Sequence, residues 1–183
     1  FHMIGLKVGD IVVFDELNLS VPVASDDKVE YHGRLWSLSA FTREGKYGGS
    51  LENRTRLYFE CIDAVKKAVG EDVFVTTRLN ACDCFPYPYG YGVDADNNID
   101  LTETKLIIKS LYEKGVRLIN LTLGNPYLIP HINRPCINAP EDGNIGMKRI
   151  YDITKELKAE FPEIYFVASG LTFSGENAME YAA

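Results

Sequence analysis

The chain has 183 residues, of which 46% are apolar and 25% charged, and its net charge is −7. This composition is typical of a folded globular domain and excludes a collagen-like, disordered or disulfide-rich chain. No apolar run reaches the roughly 20 residues of a membrane-spanning helix. An acidic balance without a basic stripe argues against nucleic acid or a membrane as partner, and we expect a cytoplasmic protein with reduced thiols.

The first part of the chain, 1–27, is expected to form a loop and hairpin region. Within it, the sequence GLKVGDIVVF at 5–14 predicts a small hairpin or a loop followed by a strand. The sequence at 21–27 predicts an extended loop. Residues 28–35 then predict one further strand, with Glu30 and His32 on the same face.

Helical and strand patterns alternate through the rest of the chain. The predicted helices are 51–69 with Ser50 as N-cap, 102–114 with Thr102 as N-cap, 145–161, and a last one from about Gly175. The predicted strands are 73–79, 116–123 and 164–168. Successive helix–strand units predict an α/β fold with a parallel sheet, either doubly wound or a barrel, whose sites lie after the strands.

The most specific sequence motif in the chain is SAFTREGKYGGSLENRTR at 39–56. The pattern YGGSxENRxR resembles the signature of the Old Yellow Enzyme family, FMN-dependent NAD(P)H:flavin oxidoreductases. The segments TTRLNACD and GVRLINLTLGNPYLIPHINRP are similar to that family's fifth and sixth strands in its enoate and 2,4-dienoyl-CoA reductase branch. We interpret the motif residues themselves as ties at the start of a helix: Tyr47, Glu52, Asn53 and Arg54.

The resemblance implies a fold, a (β/α)8 TIM barrel that is incomplete here, with roughly strands 4 to 7 present. A whole barrel of this kind typically needs roughly 250 residues, so we expect a partial chain. The resemblance implies one partial FMN-binding domain over 1–183, and a homo-oligomer when full length.

The same resemblance implies a flavin site. Arg78, after the fifth strand of the family, would face the N1/O2 edge of FMN, where a guanidinium stabilises negative charge. Ser169 and Gly170, after the seventh strand, would offer backbone N–H groups to the FMN phosphate. The alternatives are a local salt bridge for Arg78 and a simple turn for the Ser-Gly pair.

The implied activity is hydride transfer from NADH or NADPH through FMN to an activated C=C bond of an unsaturated carbonyl or acyl substrate. His32 and His131 would hold the substrate carbonyl, with Arg134 completing an HxxR segment; local hydrogen bonding or solvation is the alternative for each histidine. Arg34 stands where the family has its proton-donating tyrosine, and a guanidinium with a pKa above about 12 is a poor donor. The proton donor is therefore unassigned.

Other functions stay open at this point. The chain is alternatively a truncated or non-catalytic half-barrel without cofactor, or, more weakly, a lyase or aldolase, which would need a buried lysine that the three predicted strands lack. The spacing of Cys82, Cys84, His131 and Cys136 does not match a zinc site, and we predict no metal and no iron–sulfur motif.

Overall fold

The computed structural model describes residues 6–14, 19–25, 28–31, 34–37, 45–87 and 90–169. The chain divides into two compact units, Phe1–Cys61 and Ile62–Ala183, and each is described by itself. The expectation of a single partial domain over 1–183 stays a prediction.

The first unit contains two short antiparallel strand pairs. Strand β1 (Ile11–Phe14) pairs with β2 (Leu19–Pro22), and β3 (Lys28–Tyr31) pairs with β4 (Arg34–Ser37). Their buried side chains are valines, which favour pleated and half-buried backbone. The buried set is Val21, Val23 and Val29.

Two sequence expectations are corrected here. The stretch 21–27 is not all extended loop, because its first two residues belong to β2. The stretch 28–35 is not one strand, because Lys28–Tyr31 and Arg34–Ser37 are two strands that pair antiparallel, with Tyr31 opposite Arg34. Side chains alternate between the two faces with a period of two both in one long strand and in the two strands of a hairpin. The alternation alone therefore did not distinguish one strand from two.

The motif at 47–56 ties the start of a long helix to the turn before it. A 3-10 turn (Gly45–Tyr47) precedes helix α1 (Leu51–Val69), and the Ser50 hydroxyl accepts the backbone N–H of Asn53. The Arg54 side chain donates to the carbonyl of Gly49 at 2.9 Å. Arg56 donates to the carbonyl of Lys46 and to the Asn53 side chain, both at 2.7 Å. These contacts agree with our structural interpretation of the motif.

The second unit holds a parallel sheet in the order β5-β6-β7. Its elements in chain order are β5 (Thr77–Cys82), α2 (Thr102–Glu113), β6 (Leu118–Leu123), α3 (Pro130–Asn133), α4 (Gly143–Glu160) and β7 (Tyr165–Ala168). The predicted alternation of helices with parallel strands is confirmed.

One face of this sheet makes the core. It presents Leu79, Ala81, Ile119, Leu121 and Leu123, all at or below 9% exposure. Helix α4 packs on β6 and β7, and α2 bonds to β5 through a side chain. The helices contribute Ile107, Ile108, Leu111, Met147, Ile150 and Leu157 to the buried set. Each large aliphatic side chain buried this way contributes about 1.5–3 kcal/mol.

Several element boundaries differ from the sequence analysis, most by one or two residues, and the start of β5 and the cap of α2 differ for a physical reason. Strand β5 begins at Thr77, and Val73 and Phe74 before it are 52% and 61% exposed, because β6 offers partners only from Thr77 onward. Thr102 is the first residue of α2 and not its cap, since its own N–H donates to the Asp100 carboxylate at 2.9 Å. Within the described ranges, no helix has the length and apolarity that a bilayer crossing demands.

Candidate functional site

A cleft of about 350 Å³ opens at the carboxyl ends of β5 and β6. This edge of a parallel sheet is where α/β folds place their sites. Its walls come from both strands and from the loops that follow them. The polar residues that line it include Arg78, Asn80, Asp83, Thr122, Asn133 and Arg134.

The sheet face opposite the core carries polar side chains in register. Arg78 on β5 lies beside Asn120 on β6, and Asn80 lies beside Thr122. Among the residues that the structure describes, the exposed Arg78 guanidinium makes no ion pair. The strand-end salt bridge that we considered for Arg78 is therefore not seen within the described ranges, and its charge faces the cleft.

The side chain of Asn120 carries a buried amide oxygen. Its Oδ1 is shielded from solvent and accepts no hydrogen bond from any described residue. A buried amide oxygen without a donor typically costs about 1–3 kcal/mol. Asn120 is the register partner of Arg78 on the neighbouring strand, so a cationic residue and a residue with an unsatisfied acceptor occupy adjacent positions on the same face.

A small network holds the floor of the cleft. The Asn80 amide donates to Asp83 Oδ1 at 2.6 Å, and its own oxygen accepts the Thr122 hydroxyl at 3.3 Å. The second oxygen of Asp83 accepts the backbone N–H of Tyr91 at 3.2 Å. Burial raises the pKa of Asp83, and these two hydrogen bonds partly oppose that rise.

The loop after β6 is held close to the sheet by Gly124. Its φ is +78°, and a Cβ there would stand 2.8 Å from the side chain of Ile132 in α3. Asn133 donates to the carbonyl of Leu123 at 2.9 Å. These contacts fix the short helix α3 at the end of β6, and they bring Arg134 to the rim of the cleft.

The predicted site residues do not all meet in this cleft. His131, in α3, is half-buried and lies near Glu141, whose pKa the Arg149 guanidinium and then His131 lower. His131 is not among the described residues that line the cleft. Its substrate role stays a prediction.

Ser169 follows β7 and turns back toward the sheet. Its N–H and its hydroxyl both donate to the carbonyl of Leu121, at 3.1 and 2.7 Å. Its phosphate-binding role stays a prediction, as do the roles of Gly170 and His32, which lie outside the described residues. Over the described ranges, no group of three or more His, Cys, Asp or Glu side chains is placed to hold a metal ion.

The sequence analysis identified Arg78 and Arg134 but missed four other polar residues of this region. Asn80 and Asp83 follow Arg78, and Asn120 and Thr122 lie on the next strand. The signal was present as polar residues at every second position of two apolar strands, which places them on one face. Only the strand register shows that the two rows are adjacent.

Comparison with known proteins finds a family model that matches part of the chain. Residues 37–121 match the family model described as the NADH:flavin oxidoreductase / NADH oxidase family. This segment contains Arg78 but not His32, His131 or Ser169. The resemblance found at 39–56 is thereby confirmed.

Three curated relatives support the match. The chain is 33% identical over 116 residues to an NADH oxidase of Thermoanaerobacter brockii, which covers 60% of this chain and 16% of that protein. It is 31% identical over 83 residues to a protein of Rhizobium meliloti named "probable N-methylproline demethylase", covering 45% and 11%. It is 29% identical over 82 residues to an NADH:flavin oxidoreductase of Gibberella zeae, covering 45% and 20%. The chain thus spans a fifth or less of these relatives, and no solved structure matches it significantly.

Proposed function

On the premise that residues 37–121 match the NADH:flavin oxidoreductase / NADH oxidase family, we propose that this chain supplies part of an FMN site. The enzyme would pass hydride from NADH or NADPH through FMN to an activated C=C bond. We further propose a small unsaturated carbonyl or acyl compound as substrate and a homo-oligomer as the assembled form.

The observation that carries this proposal is the Arg78 guanidinium in the cleft. It is always protonated, and among described residues it has no carboxylate partner. It also lies inside the segment that matches the family and at the position where the family faces an arginine toward the flavin. A free cation at this place favours negative charge on the N1/O2 edge of the ring.

The neighbouring Asn120 fits the same group. The pyrimidine edge of a flavin offers an N–H donor beside carbonyl oxygens. The unsatisfied Asn120 oxygen would accept the N–H, and Arg78 beside it in register would donate to the oxygen. A guanidinium donor and an amide acceptor at adjacent positions are thus the two kinds of group that such an edge requires.

When bound, FMN supplies the two-electron hydride chemistry between the nicotinamide and the alkene. The chain's own residues would bind and orient. Arg78 and Asn120 would fix the ring edge, and the Asn80–Asp83 pair would hold the loop after β5 in place. His32 and His131 stay proposed partners of the substrate carbonyl, and no described side chain is assigned as proton donor.

The open sheet face supports an incomplete (β/α)8 barrel as the fold of this region. Tyr165 and Val167 on that face are 68% and 43% exposed, whereas the opposite face is buried under helices. In a barrel the strands close on themselves, and such a face becomes the packed interior. We propose that further strands of the full-length protein cover it.

One observation favours the alternative of a non-catalytic half-barrel. Strands β3 and β4 are antiparallel, with His32 and Gly33 between them in sequence. The family's histidine would instead end a parallel strand. The alternative predicts a chain that keeps the β5–β7 sheet but binds no flavin.

Titration of FMN into the full-length protein separates the two. Flavin absorbance and fluorescence should show binding, and NADH under anaerobic conditions should bleach the bound flavin. Arg78→Ala should weaken FMN binding about 10- to 100-fold, because a charge-assisted hydrogen bond contributes about 1.5–3 kcal/mol. Lys155→Ala on the exposed face of α4 removes the same charge elsewhere and should leave binding unchanged. Absence of any flavin-bound protein after reconstitution would support the alternative of a non-catalytic half-barrel.

A further inference from the structure

Two thiols to which the proposed flavin site gives no role lie in contact at the end of β5. The Sγ atoms of Cys82 and Cys84 are 3.4 Å apart. The backbone N–H of Cys84 donates to Cys82 Sγ at 3.1 Å, and the Cys82 thiol donates to the carbonyl of Gly92 at 3.1 Å. Both cysteines are free.

The backbone between them creates this contact. Side chains two residues apart on a strand point the same way but are separated by two strand rises, about 6.5 Å. Cys84 has φ +52°, a left-handed conformation that few residues without a turn requirement adopt. The tight turn brings the second sulfur back onto the first.

The residues that follow hold this turn closed. Gly92 has φ +75°, and a Cβ on it would stand 3.0 Å from the Cα of Cys82. The N–H of Asp83 donates to the carbonyl of Tyr91 at 2.8 Å. The loop therefore packs directly over Cys82, which has no exposed surface.

The two sulfurs differ in access. Cys84 is half-buried and lines a second cleft of about 330 Å³, whose walls include Phe85, Val93, Ile99, Ile132 and Arg149. A small molecule in that cleft meets Cys84, whereas Cys82 is fully buried and is not among the described residues that line the cleft.

Protonation follows the same asymmetry. The Cys84 thiol, by hydrogen bonding, lowers the pKa of Cys82. The same hydrogen bond, followed by burial, raises the pKa of Cys84. Cys82 is therefore the more acidic of the two thiols, and the Arg149 guanidinium adds to this difference.

We propose that Cys82 and Cys84 form a redox-active dithiol site that low-molecular-weight disulfides oxidise through the cleft at Cys84. The Cys84 thiol passes its proton across the 3.4 Å contact to the ionised Cys82 sulfur. The Cys84 sulfur attacks one sulfur of the small disulfide, forms a mixed disulfide and releases one small thiolate, which takes the proton from Cys82. The Cys82 sulfur then attacks the Cys84 sulfur, forms the Cys82–Cys84 bond and releases the second thiolate. The protein pair loses two electrons and the small disulfide gains them, and the two cysteine protons leave with the two small thiols.

The site has a structural consequence that is independent of any flavin. Closure of the disulfide removes the thiol hydrogen that binds the carbonyl of Gly92. The loop over Cys82 then loses one of its anchors, beside the Asp83 network that lines the first cleft.

The test uses the full chain in a Cys61→Ser/Cys136→Ser background, because those two cysteines are exposed and would react themselves. After incubation with bis(2-hydroxyethyl) disulfide, the two remaining titratable thiols should fall to none. Intact mass should decrease by two hydrogen atoms, with no added hydroxyethylthio group.

Two single variants check the order of the steps. In that background, Cys82→Ser should retain a stable mixed disulfide on Cys84, and Cys84→Ser should leave Cys82 unmodified while folded, as judged by circular dichroism. Two unreacted thiols in the background variant would overturn the proposal, as would a mixed disulfide there that never closes. Alkylation of native protein supplies an independent check, since Cys84 should react and Cys82 should not; equal labelling would also contradict the assignment.

Discussion

Thr104 on α2 links three parts of the second unit through its buried hydroxyl. Its Oγ1 donates to the carbonyl of Ala81 at 2.7 Å and lies 2.7 Å from the Tyr91 hydroxyl, which donates to it. The register of β5 against β6 shifts between Asn80 and Cys82, so the carbonyl of Ala81 turns from the sheet toward the helix. Thr104 is fully buried, so no water replaces it.

Thr104→Val keeps the side-chain shape and removes both bonds. The buried carbonyl of Ala81 is left without a donor, which costs about 1–3 kcal/mol, and the lost bond from Tyr91 adds about 1 kcal/mol. We expect the free energy of unfolding to fall by about 2–4 kcal/mol.

Urea unfolding followed by circular dichroism measures this loss. With an m value of about 1–3 kcal/mol/M, the midpoint should fall by about 1 M or more. Thr104→Ser keeps the hydroxyl and loses one methyl, for about 1 kcal/mol. Tyr91→Phe removes only the outer bond, also for about 1 kcal/mol. If Thr104→Val costs no more than Thr104→Ser, the hydroxyl does not stabilise the fold and the reasoning is refuted.

Three further changes have defined outcomes. Arg56→Lys loses the bond from Nε to the carbonyl of Lys46 and should lower stability by about 1 kcal/mol in the same urea assay; an unchanged midpoint would show that the motif does not anchor α1. Burial raises the pKa of Asp83 above its ordinary 3.8. The contribution of Asp83 to the free energy of unfolding therefore grows as pH falls through its folded-state pKa, and it levels off below its unfolded-state pKa. Asp83→Asn should remove this pH dependence from unfolding curves measured over a series of pH values. Arg149 lowers the pKa of Glu141 below 4.5, so that contribution is complete above pH 4.5 and is lost as pH falls through the folded-state value. Glu141→Gln should cost about 1.5–3 kcal/mol at pH 7 and much less in acid, and equal losses at both pH values would argue against the ion pair.

Much of the chain from Ser50 onward was predictable because its signals are local. Helix α1 has its cap at Ser50 and its apolar spacing within a few turns, and the predicted bounds agree with the observed Leu51–Val69. Strand β6 ends at the Gly124 turn, as predicted from the glycine, because φ +78° is a conformation that glycine adopts without strain.

The first unit was less predictable because its strands are short and their partners are not encoded locally. Four-residue strands carry only two inward positions each, so periodicity fixes neither their ends nor their pairing. Burial of Val21, Val23 and Val29 is a property of the folded unit. The hairpin of β3 and β4 therefore emerged only from the structure.

The sequence by itself determined the parallel α/β alternation, the resemblance of its motif at 39–56 to a flavin oxidoreductase family and the place of Arg78 in a strand. These rest on local periodicity and on a motif whose side chains bond within ten residues of each other. Tertiary structure alone decided that Arg78 pairs in register with Asn120, and that the Cys82 and Cys84 sulfurs touch. Which residues are neighbours across a sheet depends on strand register, and the sulfur contact depends on one left-handed backbone angle. A sequence pattern predicts neither the register nor that angle.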